Sequence, residues 1–376
     1  MQIQVPTPIL DDLKCRQNIA LMAEKAHRYG LCFRPHFKTH QSRAIGRWFK
    51  RVGVQCITVS SVQMAQYFAD EGWRDITIAF PVNPRQAAQY NLLAERVQLN
   101  ILVTDVDALR QIIPFIRRQI GIFIKIDTGA HRTGVLPDDI ATQAALLSMI
   151  EAAPMLNFRG FLTHAGSAYR ARSAHQIKET HVQSIALMKK VADRWKAHYP
   201  HLIISVGDTP TCSVATDWQG VDEIRPGNFV TYDLMQVQIG ACTFDRIALA
   251  VACPVVAKHS DRSEIVVYGG AIHLSKEHIE LDGHSVLDEW TGLPKGTKIY
   301  GLPVRFDDQL RWQLPGQEGS YVRSLSQEHG VIVASPELFD AVQPGDLIGI
   351  LPVHSCLTID LSEQLYTPTG SVLETM

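Results

Sequence analysis

Up to about residue 235 the chain alternates short apolar runs with longer amphipathic ones. The short runs are LCFRPH from Leu31, CITVS from Cys56, ITIAF from Ile76, LNILV from Leu99, IFIKID from Ile122, FRGFLTH from Phe158, LIISVG from Leu202 and DEIRPG from Asp222. They are rich in β-branched residues and several close on turn formers, the pattern of buried parallel strands. The segments between them carry helix signals. DLKCRQNIALMAEKAHRYG runs to Gly30, a C-terminal stop. SSVQMAQYFADEG opens on serines suited to an N-cap and ends at Gly72. DVDALRQIIPFIRR and HVQSIALMKKVADRWKAHYP read the same way, whereas the eighth connection, CSVATDWQG, is short. Eight strand–helix steps predict an α/β fold, a (β/α)8 TIM-like barrel, with an open doubly wound sheet as the alternative.

After Met235 the rhythm changes. RIALAVACPVV, EIVVYGG, GVIVAS, DLIGILPV and CLTIDL read as strands separated by Gly- and Pro-bearing turns, with no long helix. The spacing predicts a barrel over 10–235 and a mostly β domain over 236–376. The chain's 376 residues are enough for both. With 36 basic against 38 acidic side chains the formal net charge is −2, which argues against nucleic acid or an acidic membrane recognised by bulk charge. Seven irregularly spaced cysteines do not form a disulfide framework. The N-terminus lacks a signal pattern, and the longest apolar run, IALAVACPVVA from Ile247, is short and broken by Pro254. A cytoplasmic protein is expected.

The unusual residues fall just after the predicted strands, where such barrels keep their chemistry. Lys38 follows the first strand, between His36 and His40 in RPHFKTHQS. DTGAHRTG, with Asp127 and Arg132, follows the fifth, and HAGSAY, with His164 and Tyr169, the sixth. GDTPTCS and RPGN follow the seventh and eighth, the usual phosphate-binding loops. Gly207, Thr209, Thr211, Gly227 and Asn228 offer backbone N–H, hydroxyl and amide donors there, an anion cradle without a cation. A phosphate cradle opposite a lysine suggests pyridoxal 5'-phosphate, whose aldehyde forms a Schiff base with the lysine amine. Burial beside Arg34, His36 and His40 would favour the free amine of Lys38. Each of these signals also has a plain reading: a paired structural lysine, a common turn, a barrel salt bridge at Arg132, a core histidine at His164. Their joint placement after five strands is what gives them weight.

The motifs RPHFKTHQS, DTGAHRTG, HAGSAY, GDTPT, RPGNFVTYD and the late PVHSC occur in the order shown by the D-threonine aldolase and D-serine dehydratase family, and the chain resembles that family over nearly its whole length. The resemblance implies a fold type III pyridoxal-phosphate enzyme related to alanine racemase. It implies that Lys38 carries the cofactor, that Arg132 lies near the phenolic oxygen and Tyr169 near the ring, and that Thr209, Thr211, Gly227 and Asn228 hold the phosphate. It also implies a homodimer, and a strand lent by residues 1–9 to the C-terminal domain. The ring-nitrogen partner stays unassigned.

LPVHSCLTIDL reads as a strand, which would project His354 and Cys356 from one face. An imidazole and a thiolate make half of a tetrahedral zinc site and leave positions open. A buried cysteine beside an unrelated histidine is the plain alternative. The resemblance implies a divalent metal there, zinc by preference over manganese or magnesium because the thiolate is soft. The expected substrate is a 3-hydroxy D-amino acid. Loss of water, then ammonia and an oxo acid, is the expected reaction, with retro-aldol cleavage to glycine and an aldehyde as the alternative. A racemase and a non-catalytic pyridoxal-phosphate carrier remain as other classes. His131, His164 and His181 are candidates for a second base.

Overall fold

The computed structural model describes residues 2–313 and 319–376, the side chain of Gln313 excepted. Eight parallel strands form one sheet: Cys32–Phe33, Cys56–Val59, Asp75–Pro81, Gln98–Val103, Ile120–Lys125, Leu156–Thr163, Ile203–Val206 and Glu223–Ile224. Each pairs with its neighbour in chain order, and the last pairs with the first. Only the seam between the first two lacks a ladder. There a single parallel bridge, His36 to Thr58, closes the ring, with Thr58 N donating to the Pro35 carbonyl at 2.9 Å. The sheet is therefore a barrel, and the open-sheet alternative is excluded.

The helices that wrap it start where side chains can cap them. Asp11 accepts from Lys14 N to open Asp12–Arg28, Ser61 from Met64 N to open Val62–Asp70, Asp139 from Thr142 N to open Ile140–Glu151, and Ser173 from Gln176 N to open Ala174–Trp195. Each cap satisfies one N–H that the first turn leaves free. The first regular strand is shorter than the apolar run that predicted it, because the chain turns from it into the short helical turn Phe37–Thr39 that carries Lys38.

The barrel interior holds a polar layer. Arg34 donates from Nε to Glu223 at 2.6 Å and from Nη1 to Asp75 at 2.6 Å. Asn100 donates to Asp75 at 3.3 Å, Ser205 donates to Glu223 at 2.6 Å, and Arg225 Nε donates to Ser205 at 2.7 Å. Buried charges this closely paired fix the strands' relative positions at the cost of desolvation.

The second sheet is built mainly from the C-terminal part of the chain. Leu249–His259 runs through its centre, pairing antiparallel with Leu347–Pro352 and Glu264–Tyr268. The N-terminal strand Thr7–Leu10 adds to it, antiparallel to Leu249–His259 and in register from Thr7 opposite Ala252 to Leu10 opposite Leu249. Helices here are short, as the sequence pattern implied. One departs from it: CLTIDL is not a strand. Leu347–Pro352 ends before His354, and Ser355–Asp360 is a helix with His354 as its N-cap residue. The cause is tertiary. The fully buried Asp233 carboxylate accepts from Ser355 N at 2.9 Å, a partner for the helix N-terminus that only the barrel supplies.

Candidate active site

A cavity of about 660 Å³ opens at the C-terminal ends of the barrel strands, roofed by the helix Ser355–Asp360. Its lining includes Lys38, Arg132, His164, Tyr169, Gly207, Thr209, Gly227, Asn228, His354 and Cys356. Residues from five strand ends and from the second domain thus meet in one space, of the size usual for small-molecule sites.

Lys38 stands on the short turn Phe37–Thr39, whose N-cap His36 accepts from Lys38 N at 3.4 Å. The lysine is exposed to the cavity, not buried as expected. Arg34 is committed to Glu223 and Asp75 inside the barrel. His40 packs among Phe37, Phe49 and Phe68, and burial lowers its pKa to about 3. Of the three groups expected around Lys38, His36 alone shares its cavity. Burial and the nearby Lys38 charge hold His36 well below its ordinary value.

His164 Nδ1 lies 2.5 Å from the Gly207 carbonyl, so that nitrogen carries the proton and Nε2 keeps its lone pair. Burial lowers the imidazole pKa to about 3, which keeps it neutral. Tyr169 lies tilted beside it at 5.9 Å between centroids, and burial keeps the phenol protonated. The other two histidines considered as bases lie elsewhere. His181 is tied to the Asp217 carbonyl and Trp218, and His131 is exposed beside Asp127. Asp127 itself organises the loop, accepting from the N–H groups of Gly129, Ala130 and His131.

The anion cradle is smaller than the sequence suggested. Thr209 reaches the cavity, but Thr211 does not line it: its N–H and hydroxyl both go to Asp208, at 2.7 Å each. Burial raises the Asp208 carboxyl to about pH 6. The Asn228 side-chain nitrogen donates to Asp233 at 2.6 Å, to Ser355 at 3.2 Å and to Cys356 Sγ at 3.3 Å. Its free atom is Oδ1, an acceptor, so the side chain serves the roof rather than an anion. The two glycines allow a close approach of neighbouring loops. A Cβ on Gly227 would sit 2.5 Å from Thr39 Oγ1, and one on Gly207 2.7 Å from Arg225 Cβ.

Two cations escaped the sequence reading. Arg225 lines the cavity from inside RPGN, so the cradle does have a cation. Lys125, on the fifth strand, donates to Thr133 at 2.5 Å. Burial, then the charges of Arg132 and Arg225, lower its pKa to about 8. The signal for Lys125 was a lysine inside the apolar run IFIKID.

His354 and Cys356 share the roof of this cavity. Although burial pushes the His354 pKa down, Cys356 and Glu277 outweigh it and raise it to about 11. Metal binding would release that proton. Among the described residues no third His, Cys, Asp or Glu completes a cluster. A metal held by this pair would therefore keep open positions. Gln41 Nε2 donates to Asp360 Oδ1 at 2.5 Å, tying the loop that follows Lys38 to the helix that carries Cys356.

Residues 11–234 match the alanine racemase N-terminal domain family, and residues 248–367 match a putative serine dehydratase domain. The chain belongs to the alanine-racemase-type family of D-serine dehydratases and D-threonine aldolases. Within this family it is 28% identical to the D-serine dehydratase of Dictyostelium discoideum, over 95% of the chain and 91% of that protein. It is 28% identical to the D-threo-3-hydroxyaspartate dehydratase of Delftia sp. (strain HT23), over 95% and 92%. The solved structure of that dehydratase superposes over 100% of this chain and 98% of its own, with a TM-score of 0.87 and 27% identity. Two variants of that enzyme have also been solved, one histidine-to-alanine and one cysteine-to-alanine, with one residue between the altered positions. The cysteine variant is described as the metal-free form. The D-threonine aldolase of Arthrobacter sp. is 24% identical over 99% of the chain and 91% of that protein. Among the described residues, no helix is long and apolar enough to cross a membrane.

Proposed function

We propose that the chain is a pyridoxal-phosphate- and divalent-metal-dependent lyase that dehydrates a 3-hydroxy D-amino acid, as D-serine dehydratases do. Its family consists of dehydratases and aldolases, and the chain is a lyase of this kind. The observation that carries the finer reading is that Lys38 and the His354–Cys356 pair open onto one cavity. The residues present fit both groups. Lys38 offers an amine, Thr209 and Arg225 offer donors, and Gly207 and Gly227 let the loops that line the cavity pack against Arg225 and Thr39 where a Cβ would clash. His354 and Cys356 offer the nitrogen and sulfur that zinc prefers, and they have the same spacing as the histidine and cysteine altered in the two variants of the hydroxyaspartate dehydratase, of which the cysteine variant is described as metal-free.

Bound through Lys38, the cofactor would draw electrons from the substrate α-carbon, and a metal on His354 and Cys356 would polarise the β-hydroxyl. The chain's own residues do the rest. The Lys38 amine takes the proton at the α-carbon. Arg132, for which no hydrogen bond or ion pair is found among the described residues, holds an anionic oxygen within the cavity. Neutral His164 presents Nε2 as an acceptor, fixed by its Nδ1–H bond to Gly207. Tyr169 stays a neutral donor. The Gln41–Asp360 bond ties the loop that follows Lys38 to the roof helix that carries Cys356.

The test is to incubate the purified holoprotein with D-serine, D-threonine and their L-forms, with and without chelator. Oxo acid and ammonia from the D-forms, lost on chelation, support the proposal. Glycine and aldehyde would instead assign retro-aldol cleavage, with His164 as the base for the hydroxyl proton. Inverted enantiomer alone would overturn both. Borohydride should bleach the wild-type protein irreversibly and leave Lys38→Ala without a reduced lysine adduct.

A further inference from the structure

Two features beside the cavity remain unused by this reading, and they coincide. The first is a carboxylate on the metal pair. Glu277 Oε2 lies 2.8 Å from His354 Nδ1, which leaves Nε2 as the ring's other nitrogen. The second is a strained corner. The helix Ala271–Leu274 ends at Ser275 with φ 68° and ψ 169°, a region that glycine ordinarily occupies. Ser275 is buried and not glycine, so the conformation is strained and persists because its surroundings impose it. They do so from the metal side. Thr358, two residues beyond Cys356 on the same helix, donates to the Leu274 carbonyl at 3.3 Å, and Glu277 N donates to Ser275 Oγ at 3.4 Å. The corner therefore delivers Glu277 to His354 while bonded to the helix that carries Cys356.

We propose that Glu277 is the positioning residue of the His354–Cys356 metal site, holding His354 by Nδ1–H so that Nε2 is the nitrogen presented to the metal. This rests on the metal reading given above. A ligating imidazole needs a lone pair on one nitrogen and an acceptor for the proton on the other; a carboxylate acceptor fixes the tautomer, orients the ring and makes the ligand more basic. With two protein ligands rather than three, each one's orientation weighs more on affinity. A half-exposed ion pair with only a structural role would contribute little to stability and nothing specific to metal binding.

The experiment is a zinc affinity measurement on chelator-treated holoprotein by competition with a chromophoric chelator, alongside the Co2+ spectrum, whose thiolate band reports bonding to Cys356. Glu277→Ala should bind zinc about 10- to 100-fold more weakly. Glu277→Gln keeps an acceptor oxygen for Nδ1–H and should recover most of that loss. An unchanged cofactor spectrum and thermal transition in both variants show that the fold is intact. Glu277→Ala binding zinc as tightly as wild type, while His354→Ala does not, would overturn the positioning role and leave the metal site standing. Wild type binding no more tightly than His354→Ala would overturn the metal reading and this proposal with it.

Discussion

Gly227→Ala tests the contact between the eighth-strand loop and the loop that carries Lys38. Gly227 has φ −133°, so alanine would suffer no backbone strain there, and any effect comes from space. The added Cβ would lie 2.5 Å from Thr39 Oγ1, 2.9 Å from the His36 carbonyl oxygen and 3.1 Å from His36 Cβ. The neighbours cannot simply move apart. His36 N donates to the Pro226 carbonyl at 2.8 Å, and Thr39 Oγ1 donates to the His36 carbonyl at 3.3 Å, so the two loops are stitched together at the clash. Overpacking of this kind costs about 1–3 kcal/mol. Lys38 lies between the two displaced residues, so part of that cost should appear as weaker cofactor binding, by roughly 5- to 150-fold if all of it does. The assay is pyridoxal-phosphate titration followed by absorbance, with urea unfolding in parallel. Gly345→Ala is the control. It has φ +98° and nothing near its Cβ, so it should lower stability through backbone strain and leave cofactor affinity alone. Wild-type affinity and stability in Gly227→Ala would refute the close approach.

Two further outcomes follow from the buried groups. Arg34→Met strands Glu223, whose side chain is 2% exposed, inside the barrel and should cost about 3–5 kcal/mol in urea unfolding; adding Glu223→Gln should return part of it. His40 is buried with its pKa lowered to about 3, whereas the unfolded chain protonates it near 6.5. The unfolded state then binds more protons between those values, so stability falls as pH drops from 6.5 towards 3, by up to about 1.4 kcal/mol per pH unit for this group. His40→Gln should show a shallower acid loss than wild type in thermal unfolding, and parallel curves would refute the assignment.

The eight-strand barrel and the placement of the unusual residues after its strands were legible because both are local. A period-2 or fully apolar run followed by an amphipathic helix encodes its own structure, and the strand ends then converge by topology. What needed the fold was everything set by a partner distant in sequence. Ser355–Asp360 carries a strand-like apolar pattern, yet Asp233, 122 residues away, holds its N-terminus and makes it a helix. Arg34 and His40 flank Lys38 in the chain but turn to Glu223 and to an aromatic cluster, so adjacency misjudged the lysine's surroundings. Thr211 and Asn228 kept their loops but spent their donors on Asp208, Asp233 and Cys356. The sequence by itself determined the strand–helix repeat of the barrel and which of its loops face the cavity, because backbone propensity and hydrophobic period act over a few residues. The tertiary structure alone decided which way each polar side chain turns, because a buried donor takes whatever acceptor folding brings within about 3 Å, however far off it is in the chain.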